Sequence, residues 1–442
     1  MGDIASVVLS SSTREFDREY HYIIPESLKN AVSPGVRVIV PFGRANRSVE
    51  AYVLDVVNET EFTELKEIKK VLDESPVMGK HMIELARWMK DKYICTYSDA
   101  IKCMLPPGIG IKSLCIVKLV KQSSDVEKNQ KIILDLLEES NGECELEELK
   151  SRANIRNFKK QLNSMEKAGL ITICEEYTSR VREKTVKAVS LAVPREEVIE
   201  DIESGRIKRI QQIRVLELLL DNEYISVPDI LRFSGVTAGV LDTLRKYGYI
   251  FYKDVIVNRD PLENRHIEHT EPFTPTAQQA CVLESVKSKL DKGIFAEVLL
   301  HGVTGSGKTE VYMQLIQHCI QMGKQAIVLV PEISLTPQTV ERFKSRFGKD
   351  VAVQHSRLSL GERYDQWRLI KDGGIKVVVG TRSAVFAPLE RLGLIVIDEE
   401  HENSYKSEIT PKYHAREIAR KRCAMENAVL LYGSATPSIE TY

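Results

Sequence analysis

Residues 302–309 read Gly302-Val303-Thr304-Gly305-Ser306-Gly307-Lys308-Thr309, and this stretch decides the fold of the last third of the chain. It follows an apolar run at 296–301 and opens an apolar-periodic segment from about Lys308 to Met322, with Gly323 as the stop. Strand, glycine-rich loop and helix in this order predict a P-loop, whose backbone N–H groups surround phosphates at a helix N-terminus. We expect Lys308 to reach the β- and γ-phosphates of ATP and Thr309 to bind Mg²⁺. The predicted ATP-binding residues of this loop are Gly302, Thr304, Gly305, Ser306, Gly307, Lys308 and Thr309.

A second motif, Asp398-Glu399-Glu400-His401, follows the apolar run Leu394-Ile395-Val396-Ile397. Such a run predicts a buried parallel strand. A carboxylate at the C-terminal edge of that strand lies beside the P-loop, so we expect Asp398 to bind Mg²⁺ and Glu399 to orient the attacking water. The predicted catalytic residues are therefore Lys308, Asp398, Glu399 and His401.

Three further apolar runs each lead into a loop rich in small or hydroxyl-bearing residues. The run at 325–330 precedes Pro331-Glu332-Ile333-Ser334-Leu335-Thr336, that at 376–379 precedes Gly380-Thr381-Arg382-Ser383, and that at 429–432 precedes Gly433-Ser434-Ala435-Thr436. In an open α/β sheet these loops gather at the C-terminal strand ends, where ligands bind. Hydroxyls and backbone N–H groups suit phosphate contacts, which position a nucleic acid without reading its sequence. The pattern predicts the working face of a nucleic-acid-driven ATPase.

The bulk composition is that of an ordinary globular protein, with 43% hydrophobic and 28% charged residues. Because the net charge is −1, binding to nucleic acid must depend on local basic patches. The sequence shows neither a long apolar segment nor a signal peptide, which predicts a cytoplasmic protein without a membrane partner. The eight cysteines are scattered without a C-x-x-C pair, so we expect reduced thiols and no zinc site.

The order and the residue sequences of these motifs resemble those of superfamily 2 helicases. The particular form that each motif takes in this chain resembles the primosomal protein N′ (PriA) family of replication-restart helicases. The resemblance implies an ATP-dependent 3′→5′ DNA helicase that recognises stalled or recombined forks and directs reloading of the replicative helicase. It also implies that Gln278 contacts adenine and that the aromatic-rich segment 402–416 couples single-stranded DNA to hydrolysis. Aromatic faces stack bases, and neighbouring cations hold the backbone. The expected DNA-binding residues here are Arg382, Tyr405, Lys406, Tyr413 and His414.

Residues 1–107 alternate short apolar runs with turn signals, and Val36–Val40 is the clearest strand. These features predict a small β-rich domain. Its sequence resembles that of the N-terminal domain of the same family, which binds the 3′ end of a nascent strand. The implied pocket residues are Tyr20, His21, Gly43 and Lys66. His21 stands where the family has an acid, and Phe16-Asp17 offers a rival alignment.

The middle region contains two similar segments, Gln130-Lys131-Ile132-Ile133-Leu134-Asp135-Leu136-Leu137 and Gln212-Ile213-Arg214-Val215-Leu216-Glu217-Leu218-Leu219. Each is followed by two further helix signals, a glycine and a strand signal, which is the winged-helix arrangement. Two such repeats are predicted, at 125–175 and 207–257, and they either contact DNA or only pack against the motor. Asn258-Arg259-Asp260-Pro261 resembles the family's junction into the helicase core.

The predicted protein is thus multidomain. It has a β-rich DNA-binding domain at 1–107, a winged-helix (α+β) region at 108–262 and a first α/β RecA-like P-loop lobe at 263–442. The family continues into a second lobe, with zinc-binding and C-terminal domains, and these are absent from this chain. The second lobe supplies an arginine worth roughly 10³–10⁵ in rate, so we expect this chain to bind ATP and forked DNA but to unwind little.

The expected partners are forked and single-stranded DNA, single-stranded DNA-binding protein and other primosome or helicase-loading proteins. We expect a monomer in the bacterial cytoplasm, associated with the nucleoid. Two other interpretations stay open. One is a non-enzymatic fork-binding adaptor, and the other is a different superfamily 2 DNA translocase.

Overall fold

The computed structural model of the protein describes residues 3–121, 127–179, 185–220, 222–256 and 268–442. The chain divides into two compact units, residues 1–181 together with 266–442, and residues 182–265. The predicted boundary at 262/263 and the junction at 258–261 lie outside the described residues. No helix within those described ranges is long and apolar enough to cross a membrane.

The N-terminal part is a six-stranded sheet followed by two helices. The strands are ordered β5-β2-β1-β4-β3-β6. Its elements are β1 (Ile4–Leu9), β2 (Tyr20–Ile23), β3 (Arg37–Phe42), β4 (Arg47–Val57), β5 (Lys66–Glu67), β6 (Lys70–Val71), α1 (Lys80–Tyr93) and α2 (Tyr97–Met104). The strand predicted at Val36–Val40 corresponds to β3, which begins one residue later, at Arg37. A Cβ on Gly35 would lie 2.0 Å from the Met78 carbonyl oxygen, so only glycine fits this turn.

Residues 111–179 form a three-stranded antiparallel sheet with three helices, in the strand order β8-β7-β9. Its elements are β7 (Ile111–Leu119), α3 (Lys128–Glu139), β8 (Glu143–Glu145), α4 (Leu146–Ala153), α5 (Phe158–Lys167) and β9 (Ile171–Ser179). The helices bury Ile133, Leu149 and Leu162 against the sheet residues Val117 and Ile171. The first predicted repeat therefore has its own small core.

The second compact unit has the same strand arrangement, in the order β11-β10-β12. Its elements are β10 (Thr185–Leu191), α6 (Arg195–Glu203), α7 (Ile210–Leu220), β11 (Ile225–Ser226), α8 (Val227–Ser234), α9 (Ala238–Lys246) and β12 (Ile250–Ile256). In both sheets the shortest strand lies beside the first strand, and the last strand lies on its other side. The internal similarity seen in the sequence thus extends to the strand pairing.

Residues 277–434 form a six-stranded parallel sheet with helices on both faces, which is the predicted α/β lobe. Its elements are α10 (Ala277–Lys292), β13 (Ala296–His301), α11 (Lys308–Gln321), β14 (Gln325–Leu329), α12 (Pro337–Phe347), β15 (Val351–Gln354), α13 (Leu360–Lys371), β16 (Val377–Gly380), β17 (Leu392–Asp398), α14 (Ala415–Glu426) and β18 (Val429–Ser434). The strand order is β13-β18-β17-β14-β16-β15. The strand that ends in Gly433-Ser434 therefore lies between the P-loop strand and the strand that ends in Asp398.

The two faces of this sheet belong to two different hydrophobic cores. Ala326 and Val328 of β14 pack into a core shared with α10, α11 and α12. The alternating residues Ile327 and Leu329 pack into a core that contains α13 and α14 and also α1 and α2 of the N-terminal part. Helices of the N-terminal part consequently cover one face of the lobe, an arrangement that sequence patterns did not predict.

Candidate ATP and DNA sites

The P-loop connects β13 to α11 and places Lys308 at its centre. Gly307 has φ +83°, a left-handed conformation that strains any other residue, and a Cβ on it would also displace Gln279 Nε2, which lies 2.5 Å from that position. Lys308 is 8% exposed, and its Nζ donates to the Gly302 carbonyl oxygen at 2.8 Å. A buried ammonium group at the N-terminus of a long helix forms an anion site suited to the phosphates of a nucleotide.

The Asp398 carboxylate lies at the C-terminal end of β17 and accepts a hydrogen bond from Tyr312 Oη at 3.0 Å. Burial raises the pKa of Asp398, and the Tyr312 hydrogen bond opposes that shift. Carboxylate and hydroxyl oxygens are ligands that Mg²⁺ accepts, and it retains several waters and nucleotide phosphates as further ligands. The pair Thr309 and Asp398 therefore fits this cation by its chemistry. The described residues contain no all-protein cluster of three or more His, Cys, Asp or Glu side chains that could hold a metal.

Glu399 continues from β17 in a left-handed backbone conformation, with φ +43°. A non-glycine residue adopts this conformation only where its surroundings enforce it, and such positions concentrate at functional sites. The Glu399 carboxylate lies 3.7 Å from Lys308 Nζ and 3.8 Å from His401 Nδ1. The structure thus brings the predicted catalytic side chains Lys308, Glu399 and His401 together.

His401 links this cluster to β18. Its Nδ1 lies 2.8 Å from Ser434 Oγ, and its Nε2 lies 3.5 Å from Thr436 Oγ1. Both partners belong to the loop Gly433-Ser434-Ala435-Thr436. The position of β18 between β13 and β17 explains how this loop reaches the catalytic edge of the sheet.

Glu400 has a role that the sequence did not indicate. Its buried carboxylate accepts hydrogen bonds from Ser438 N at 2.6 Å, Thr441 Oγ1 at 2.9 Å and Arg416 Nη1 at 3.2 Å. These contacts tie the chain after the fourth motif to the start of α14. The third position of the tetrad is therefore a structural anchor.

Gln279 is a second residue that sequence reasoning missed. Its Nε2 donates to the Ser306 carbonyl oxygen of the P-loop at 2.9 Å, while its Oε1 accepts from Thr276 N in a capping box at the start of α10. Gln278 is exposed on the same helix turn. Its adenine contact remains a prediction, whereas Gln279 is the glutamine that contacts the P-loop.

Two tyrosines of the aromatic-rich segment 402–416 are buried, although they were expected to contact DNA. Tyr405 is 1% exposed, and its hydroxyl donates to the carbonyl oxygens of Asp398 at 2.5 Å and Leu329 at 3.1 Å. Tyr413 is also buried, with its ring 5.1 Å from that of Phe386. Both rings are packed in the hydrophobic core, so neither offers an exposed face for base stacking in this structure, and their contact with DNA stays a prediction.

The polar members of the segment are differently placed. Lys406 is exposed, and its carbonyl oxygen accepts from Arg382 Nη1 at 2.9 Å. His414 is half-buried and caps α14 through Nδ1, which accepts from Arg416 N at 3.2 Å. Burial, and then the Arg416 charge, lower the pKa of His414, so the ring is neutral at physiological pH. Lys406 and Arg382 are therefore two cations of this region that can meet a DNA backbone.

A cavity of about 890 Å³ lies where the C-terminal ends of β14, β15 and β16 meet residues 102–110. Arg382, Arg363 and Lys102 contribute cations to its wall. The carboxylates in the wall are bonded to neighbours: Glu50 pairs with Arg37 at 3.2 Å, and Glu332 accepts from Ser356. A mixed wall with several cations fits a segment of phosphodiester chain.

The predicted 3′-end pocket is partly assembled. Lys66 Nζ donates to the Gly43 carbonyl oxygen at 2.8 Å, and the Tyr20 ring lies 5.2 Å from that of Phe42. His21 Nδ1 lies 2.6 Å from Thr60 Oγ1, so its ring is held by the loop after β4. Tyr20 contacts Phe42, the residue before Gly43, and Lys66 bonds Gly43, so Tyr20, Gly43 and Lys66 lie close together.

Asp17, the acid of the rival alignment, has a structural role. Its buried carboxylate accepts from Lys90 Nζ and from Tyr97 N at 2.8 Å. A carboxylate already bonded to α1 and to the first residue of α2 is not available to a strand end. The structure therefore favours the alignment through Tyr20.

Two family models match the chain. Residues 6–106 match the PriA 3′DNA-binding domain (3′BD). Residues 276–442 match the DEAD/DEAH box helicase family. The first range contains the Tyr20 pocket, and the second contains the P-loop and the Asp398 motif.

Curated relatives match along nearly the whole chain. Replication restart protein PriA of Bacillus subtilis (strain 168) is 35% identical over 448 residues, which cover 100% of this chain and 54% of that protein. The Synechocystis protein of the same name is 33% identical over 444 residues, covering 96% and 51%. Among solved structures, RecG bound to a three-way DNA junction is 25% identical, with a TM-score of 0.30 over 38% of this chain and 22% of its own. The chain spans about half the length of the curated relatives it matches.

Proposed function

We propose that this chain supplies the ATP- and DNA-binding functions of an ATP-dependent 3′→5′ DNA helicase of the replication restart protein PriA family, over the part of those proteins that it spans. The helicase acts at stalled or recombined forks and directs reloading of the replicative helicase.

One observation carries the proposal: Lys308, Glu399 and the pair His401–Ser434 meet at one edge of the parallel sheet. Lys308 binds the β- and γ-phosphates there, and Gln278 contacts the adenine. Thr309 and Asp398 would hold Mg²⁺, which would supply positive charge against the phosphates. Glu399, with His401 beside it, orients the water that attacks.

DNA contacts the protein at two places in this proposal. The 3′ end of a strand enters the pocket of Tyr20, His21, Gly43 and Lys66, where an aromatic face and an ammonium group suit a terminal nucleotide. Single-stranded DNA lies along the cavity beside Arg382. Lys406 and His414 are further contacts, since their chain neighbours Ser407 and Tyr413 line the cavity. Since phosphate contacts dominate there, binding is independent of sequence and weakens with salt.

The two units with three-stranded sheets, residues 111–179 and 185–256, are winged-helix modules in this proposal. Their support is the shared strand pairing, with the order β8-β7-β9 in one and β11-β10-β12 in the other. The further partners are single-stranded DNA-binding protein and helicase-loading proteins of the primosome. The protein acts as a monomer in the bacterial cytoplasm, at the nucleoid.

ATP turnover in the presence of a DNA fork tests the proposal. Lys308→Ala abolishes fork-stimulated turnover and leaves fork binding, measured by fluorescence anisotropy, unchanged. Lys349→Ala is the matched control, because Lys349 is an exposed lysine in the turn before β15, at the opposite edge of the parallel sheet. A parent chain that binds forks but shows no turnover above Lys308→Ala would be a non-enzymatic adaptor. Binding that ignores a 3′-OH end at the fork arm would instead indicate another superfamily 2 translocase.

A further inference from the structure

Tyr312 lies one helical turn after Lys308 in α11, so both side chains share one face of this helix. The tyrosine is 1% exposed, and its ring packs in the core formed by α10, α11 and α12. Its hydroxyl donates to Asp398 Oδ1 at 3.0 Å. The P-loop helix therefore contacts the metal-binding carboxylate directly.

Gly433 gives independent evidence that this hydroxyl is fixed. A Cβ at position 433 would lie 1.6 Å from Tyr312 Oη and 3.4 Å from Asp398 Oδ1. The first residue of the fourth motif must therefore be glycine, because the tyrosine hydroxyl occupies the space where a side chain would begin. Three elements, α11, β17 and β18, thus enclose the Tyr312–Asp398 hydrogen bond.

We propose that Tyr312 is a positioning residue that holds the Asp398 carboxylate in the orientation that binds Mg²⁺ together with ATP. The inference rests on the proposed function, which assigns Mg²⁺ and ATP to this site. A carboxylate with one oxygen already hydrogen-bonded loses less rotational freedom when the cation binds. Loss of an outer hydrogen bond of this kind typically weakens metal binding about 10–100-fold.

Tyr312→Phe tests this directly, because it removes the hydroxyl and keeps the buried ring. The assay is the binding of a fluorescent ATP analogue, titrated once with Mg²⁺ and once in excess EDTA. We expect the variant to need at least about 10-fold more Mg²⁺ for half-maximal binding, with unchanged nucleotide affinity in EDTA. Tyr432→Phe is the matched control, since the Tyr432 hydroxyl is buried in β18 and has no hydrogen-bond partner among the described residues.

A double variant separates positioning from a loss of folding. If Tyr312 acts through Asp398, then Tyr312→Phe adds nothing to the Mg²⁺ defect of Asp398→Asn. An unchanged Mg²⁺ requirement in Tyr312→Phe, or an equal loss of nucleotide affinity with and without Mg²⁺, would overturn the inference alone. A parent chain that binds no nucleotide would contradict the proposed function and the inference with it.

Discussion

Substitutions of two adjacent glutamines at the start of α10 are expected to affect nucleotide binding differently. Gln279 contacts the protein, through Ser306 of the P-loop and Thr276 of the helix cap. Gln278 is exposed, and the family resemblance assigns the adenine contact to it. We therefore expect Gln279→Ala to weaken the binding of every nucleotide, and Gln278→Ala to weaken only the binding of adenine nucleotides.

The magnitude follows from the contacts that each change removes. Gln279→Ala removes the 2.9 Å hydrogen bond to the Ser306 carbonyl oxygen, which contributes about 0.5–1.5 kcal/mol. A loss of about 1 kcal/mol from the ordered P-loop corresponds to roughly 5-fold weaker binding of ATP and GTP alike. Gln278→Ala removes one base contact of the same strength, so ATP binding falls by a similar roughly 5-fold factor while GTP binding stays constant.

The assay is a titration of each variant with fluorescent ATP and GTP analogues, and the ratio of the two dissociation constants is the deciding quantity. Gln279→Ala should keep the parent ratio, and Gln278→Ala should bring the ratio toward one. An unchanged ratio in Gln278→Ala would refute its adenine role. A changed ratio in Gln279→Ala would show that this glutamine reads the base and would refute the argument that it acts through the P-loop.

Two changes in packed positions test the description of the lobe. Gly433→Ala places a methyl group against the Tyr312 hydroxyl, so we expect a loss of about 1–3 kcal/mol in the free energy of unfolding, seen as a lower melting temperature. An unchanged melting temperature would contradict the contact. Arg422→Met leaves the Glu426 carboxylate buried without its 3.0 Å partner and should cost about 3–5 kcal/mol. The double variant Arg422→Met with Glu426→Met should recover most of that loss, and a failure to recover would point to the carbonyl contacts of Arg422 instead.

The sequence was sufficient for five of the six strands of the lobe, and four of these, β14, β16, β17 and β18, are buried on both faces and therefore appear as continuous apolar runs. The short strand β15 (Val351–Gln354) was not predicted. The run at 394–397 became β17, and the segment predicted as a helix from about Lys308 to Met322 became α11, Lys308–Gln321. The strand order was not accessible. Apolar runs report that a strand is buried but not which strands flank it, so the insertion of β18 between β13 and β17 could not be predicted.

The side-chain roles were harder to predict for a related reason. Aromatic and basic residues in one segment have the same composition whether the rings face solvent or the core, and Tyr405 faces the core. A capping pattern at Thr276 and Gln279 was present in the sequence and could have identified the second glutamine. Tyr312 gave no such signal, because a tyrosine in an amphipathic helix is most often an ordinary core residue.

The contacts around Asp398 connect the ATP site to the segment expected to meet DNA. Its carboxylate is held by Tyr312 of the P-loop helix, and its carbonyl oxygen is held by Tyr405 of the aromatic-rich segment. Arg382 bonds the carbonyl oxygens of Ser404 and Lys406, on either side of that tyrosine. A continuous set of hydrogen bonds therefore runs from Arg382, through the segment that contains Tyr405, to Asp398 and on to the P-loop helix.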